Sequence, residues 1–140
     1  MSVAPHYLLD TNILSDLINR GRTSVVSAKL DKFGSVVCTS VVVAAEIRYG
    51  VAKKGSALLA ERADAVLKTI PIRALGDPLD RHYAEIRVHL ERQGTPIGPN
   101  DLLIAAQSRA LDLCLLTANV GEFGRVPGLA VENWLDPRER

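Results

Sequence analysis

The 140-residue sequence is poor in several things at once. It has two cysteines, Cys38 and Cys114, both in apolar segments. That is too few for a disulfide framework and fits a reducing cytoplasm. It has one Trp, three Tyr and two Phe, too few for extensive stacking of bases on aromatic side chains. No apolar run approaches the roughly 20 residues a membrane-crossing helix needs. The opening MSVAPHYLLD has no basic stretch ahead of an apolar one, so no secretory leader is expected. Gly (10) and Pro (7) are scattered without period, which excludes collagen-like and low-complexity classes. Charge of one sign is also lacking, with 17 Lys+Arg against 16 Asp+Glu and a net of +1.

What is present is an ordinary globular composition, 47% hydrophobic and 24% charged, at a length that suggests one domain over residues 1–140. The cations are mostly Arg and cluster early, at Arg20, Arg22, Lys29, Lys32, Arg48, Lys53 and Lys54. They read either as solvated helix faces or as a surface for phosphates.

Short apolar runs alternate with helical patterns. HYLL (6–9), SVVC (35–38), IRA (72–74), LCLL (113–116) and a segment near 129–132 read as strands. Helices are predicted after Asp10, over 25–33, from Thr39 or Ser40 to about Lys54 with Gly55 closing, over 56–70, from Asp77 toward Gly94, and from Asp101 onward. Alternation of this kind predicts an α/β fold with a small, mostly parallel central sheet flanked by helices.

In such sheets the ligand site lies beyond the carboxyl ends of the strands. Two predicted strands end in polar tripeptides, Asp10-Thr11-Asn12 and Thr117-Ala118-Asn119. Asp10 can be a helix cap or a ligand. Glu46, inside the apolar helix VVVAAEIRYGV, can pair with Arg48 or another Arg, point to solvent, or serve a site. Asp101 can complement a helix dipole, although Asn100 already provides a cap and leaves it free. Glu122 reads alone as a surface charge. Together, Asp10, Glu46 and Asp101 form an all-oxygen set with no matching His or Cys cluster. That set suits Mg²⁺ or Mn²⁺ and phosphodiester hydrolysis. His6, His82 and His89 show no metal spacing. No phosphate-cradling glycine motif occurs, and Asn12 replaces the second acid an aspartyl-phosphate enzyme would need.

YLLDTNILSDLI, SVVVAAEIRYGV, GTPIGPNDLLIAAQSRA and LLTANVGEFGRVPGLAVENW occur in this order over nearly the whole chain. On these motifs the sequence resembles PIN-domain ribonucleases, specifically the VapC toxins of type II toxin–antitoxin systems. The resemblance implies an α/β/α PIN fold and an acid site binding Mg²⁺ or Mn²⁺. Asp10, Glu46 and Asp101 match the first three family acids. The fourth ligand is Asn119, Glu122 or a water held by either, because the usual T-x-D tripeptide is Thr117-Ala118-Asn119 here. Thr11, Asn12 and Thr117 match positions that steady the site. The resemblance further implies cleavage of cellular RNA of the tRNA or rRNA class, a VapB-type antitoxin that covers the groove, and a homodimer. The alternative is a catalytically silent RNA- or partner-binding module that keeps the acid pocket only as a docking site for a basic segment.

Overall fold

The computed structural model describes residues 6–33 and 37–136. Its strands are β1 (Tyr7–Leu9), β2 (Val37–Ser40), β3 (Ile72–Arg73), β4 (Cys114–Leu116) and β5 (Val131–Glu132). They form one sheet in the order β3-β2-β1-β4-β5, and every pairing among the described residues is parallel. The first two residues of the predicted SVVC strand, Ser35 and Val36, lie outside the described residues. Its pairing continues two residues further than predicted, through Thr39 and Ser40.

β1 lies at the centre. Leu9 stands opposite Thr39 on one side and Leu116 on the other. Leu8, Leu9, Leu115 and Leu116 are wholly buried, each burial contributing about 1.5–3 kcal/mol. Because the three strands are parallel and in register, the residues that follow them emerge at one edge. The chain winds from β1 outward to β3, then returns to the other flank of β1 with β4. The crevice between β1 and β4 is therefore a topological switch point, where open α/β sheets place their ligands.

The helices are α1 (Thr11–Arg20), α2 (Val25–Phe33), α3 (Val41–Lys54), α4 (Ala57–Thr69), α5 (Leu79–Arg92), α6 (Pro99–Ala110) and α7 (Val120–Phe123). α1, α3 and α4 pack together, while α5 packs along α6. Ser40, not Thr39, caps α3 by accepting from the Val42 amide at 3.0 Å, and Gly55 closes the helix at φ +66°. Thr39 spends its hydroxyl on the Leu9 carbonyl (2.7 Å), clamping the end of β1. α6 begins earlier than predicted. Gly98 is its cap residue and Pro99 takes the first helical position, which suits a residue with no N–H. Asn100 thus lies inside the first turn and does not cap. α7 has no counterpart in the sequence reading, because four residues are too few to display a period.

Candidate active site

Asp10 leaves β1 and caps α1. Only 4% exposed, its carboxylate needs donors, since a buried charge is costly without them. Oδ1 accepts from the Thr11 amide at 2.8 Å. Oδ2 accepts from the Thr117 hydroxyl at 2.8 Å and, more weakly, from the Asn12 amide at 3.4 Å. Burial nevertheless pushes the Asp10 carboxyl above its ordinary range, and Glu46 pushes it further, against the lowering effect of these hydrogen bonds. The cap reading is borne out, and the capping carboxylate also lies within reach of the charge of Glu46.

Glu46 projects from the second turn of α3 toward the same edge, where Oε1 accepts from the Thr11 hydroxyl at 2.8 Å. It is not neutralised by Arg48, whose guanidinium pairs with Asp64 at 2.9 Å. Thr11 therefore touches two acids, Asp10 through its backbone and Glu46 through its side chain.

Asp101 sits in the first turn of α6. A helix N-terminus favours a negative charge by about 0.3–1 kcal/mol. That preference loses here. The Asp101 carboxyl is pushed up to about 7, first by burial, then by the charge of Glu122, by Asp10, by a hydrogen bond shared with Glu122, and by Glu46. Asp101 thus senses three other carboxyl groups from three separate segments, and no described cationic side chain offsets them. Glu122 is held from α7, where its Oε2 accepts from the Asn119 amide at 2.5 Å.

The predicted supporting residues fall around this group. Asn12 bridges α1 and the strand β4 tip, with Oδ1 accepting from the Ala118 amide at 2.8 Å and Nδ2 reaching the Thr117 hydroxyl at 3.4 Å. The Thr117 oxygen also accepts from the Asn119 amide N–H at 3.0 Å. Of the two candidates for the fourth acid position, Asn119 is exposed and orients Glu122, while Glu122 is half-buried and faces Asp101. Thr39 is the neighbour that sequence reasoning passed over. A wholly buried threonine at a strand end was its only sign.

The histidines play no part in this edge. His82 accepts from Arg109 at 2.7 Å, in a contact between α5 and α6. Cys38 is buried and its thiol is pushed up to about 11 by burial, as a core residue. Cys114 is only partly buried and donates to Glu132 at 3.4 Å.

Chemically, the donor set is carboxylate, amide and hydroxyl oxygen, which fits a hard divalent cation and not a soft one. Among the described residues no three His, Cys, Asp or Glu side chains are arranged to hold an ion directly. Mg²⁺ keeps several of its waters while contacting one or two carboxylates. Asp10, Glu46, Asp101 and Glu122 are the residues here that would hold such an ion.

Residues 7–129 match the family model described as PIN domain. "Ribonuclease VapC2" of Rickettsia felis is 37% identical over 130 residues, covering 91% of this chain and 97% of that protein. "tRNA(fMet)-specific endonuclease VapC" of Shigella flexneri is 35% identical over 134 residues, with 91% and 97% covered. Among solved structures, a chain of VapBC2 from Rickettsia felis, bound to a DNA fragment from their promoter, superposes with a TM-score of 0.81 at 36% identity. It covers 91% of this chain and 98% of that one.

Proposed function

The chain belongs to the PIN domain family, and from that membership we propose that it is an endoribonuclease, the toxin of a type II toxin–antitoxin pair. Its 140 residues act as one PIN domain, inhibited by a VapB-type antitoxin and cutting cellular RNA of the tRNA or rRNA class with Mg²⁺ or Mn²⁺. The relatives carry ribonuclease and endonuclease names, and the structural neighbours are complexes of toxin with antitoxin. The observation that carries the site assignment is the gathering of acids at one sheet edge: Thr11 binds both Asp10 and Glu46, and the Asp101 carboxyl is pushed up to about 7 by burial and then by Glu122, Asp10 and Glu46 around it. An edge of this kind repels RNA unless a cation is bound.

Asp10, Glu46 and Asp101 would hold the ion, with Glu122 completing the shell and Asn119 orienting Glu122. A divalent ion bound there would acidify an attacking water and offset charge on the phosphate. Thr117, Asn12 and the Thr11 amide fix the rotamer of Asp10, and the Thr11 hydroxyl fixes Glu46. The reaction is a hydrolysis. The water oxygen bonds to phosphorus, one P–O ester bond breaks, the water's proton passes to a carboxylate of this edge or to solvent, and the leaving oxygen takes up a proton from solvent to depart as a hydroxyl.

The test is total RNA incubated with purified, antitoxin-free protein. Cleavage is expected with Mg²⁺ or Mn²⁺, is abolished by chelator, and falls by orders of magnitude in Asp10→Asn and Asp101→Asn. Asn119 at the place of the usual fourth acid favours one competing reading, a silent module that docks a basic segment. RNA bound but left whole under both metals would establish that reading.

A further inference from the structure

The two helices that carry Thr11 and Glu46 also frame a groove leading away from the acid edge. It is lined on α1 by Thr11, Ser15 and Asn19, on α3 by Glu46, Gly50 and Lys54, and otherwise by apolar side chains of α1, α3 and α4. Each set repeats every four residues, so each is a stripe along one helix face. The stripes meet at the Thr11–Glu46 hydrogen bond and run side by side for about 12 Å at the helical rise. At its far end the groove meets a second hollow that shares Ile18 and Asn19 and is bordered by Arg20 and Arg62.

Charge changes sign along this path. Beyond Glu46, no described carboxylate lines either hollow. Lys54 and Arg62 are exposed and engage no described acid, whereas Arg20 pairs with Asp16 at 3.0 Å. Ser15 and Asn19 offer uncharged donors between the two ends. Placement of lysines near the C-terminus of α3 complements the helix dipole in any case. Lys53 does that while lying over the Tyr49 ring, 6.0 Å from its centroid. Lys54 instead faces the groove.

We propose that this groove carries the single-stranded RNA backbone away from the acid edge, with Lys54 and Arg62 contacting phosphates beyond the scissile one. The proposal rests on the nuclease reading above and extends it to substrate binding. With a cation at the acid end, both ends of the path attract negative charge, which a phosphodiester chain presents along its length. A peptide would need a cationic residue at the acids and anionic ones at Lys54 and Arg62.

The experiment measures binding of a fluorescein-labelled, mixed-sequence single-stranded RNA to the antitoxin-free protein with Ca²⁺ in place of Mg²⁺ or Mn²⁺, which leaves a cation at the acid end, across a salt series. Lys54→Gln and Arg62→Gln are each expected to weaken binding several-fold and to flatten the slope of log affinity against log salt by about 0.7, one phosphate contact on a single strand. Lys54→Arg retains the slope. Arg92→Gln, on α5 and outside both hollows, retains both affinity and slope. Unchanged slopes in the two groove variants, or an equal loss in Arg92→Gln, would overturn the proposal. So would groove variants that bind RNA normally but lose a co-purifying antitoxin. Because no cleavage is read, a protein that binds RNA through Lys54 yet never cuts it refutes the nuclease reading alone.

Discussion

Thr117 is wholly buried and gives its hydroxyl hydrogen to Asp10 while its oxygen receives the Asn119 amide. Thr117→Val keeps the shape and deletes both bonds, leaving Asp10 Oδ2 with only the long contact to Asn12. RNA cleavage is expected to drop about 10- to 100-fold, as losses of a ligand's supporting partner do. Chemical denaturation should register about 1–3 kcal/mol for the orphaned polar groups. Asp101 yields a pH signature. Its carboxyl rises from 3.8 to about 7 on folding, so the folded chain binds the proton more tightly than the unfolded one. The associated stability is complete below about pH 4 and is lost as pH climbs to about 7. Thermal melts of metal-free protein should show that decline, and Asp101→Asn should flatten it. Added Mg²⁺ should raise Tm more at pH 8 than at pH 5. Asp10, Glu46 and Asp101 were legible because an acid beside an apolar run is rare without a reason. The choice between Asn119 and Glu122 was not, since it depends on where α7 aims each side chain.

α7 is four residues long and brings Glu122 to the edge. Its closure at Gly124 has a steric basis, because a Cβ there would stand 2.6 Å from the Val120 carbonyl oxygen. Gly124→Ala is expected to cost about 1–3 kcal/mol through forced backbone movement and to shift Glu122 with it. Activity should therefore fall even where melting shows the protein fully folded, which pairs a Tm measurement with the cleavage assay. Longer elements were readable from period and punctuation. α2 spans the predicted 25–33, and α3 ends at the glycine that the pattern marked. The start of α6 was misplaced because Asn100 has strong capping chemistry, while the fixed φ of Pro99 pulled the helix start back to Gly98. β2 was drawn short because Thr39 and Ser40, polar yet wholly buried, continue the ladder where composition suggested a cap.

At the scale of the molecule, the alternation of strand and helix was sufficient to predict a parallel sheet, since parallel neighbours require a crossover of this kind. Strand order was not legible, because nothing in residues 7–9 states that β1 takes neighbours on both sides. The buried leucines of β1 and β4 hold that centre, and Leu115→Ala is expected to remove about 2–5 kcal/mol in denaturant unfolding and to loosen the crevice that holds Asp10. The hydrogen bond from Thr117 to Asp10 joins residues 107 positions apart. During synthesis, Asp10, Thr11 and Asn12 leave the ribosome while Thr117, which donates the short bond to Asp10 Oδ2, is still untranslated. A nascent chain, or one clipped before Cys114, has acids but no cutting edge. Under the proposed function, activity thus waits on the docking of β4 against β1.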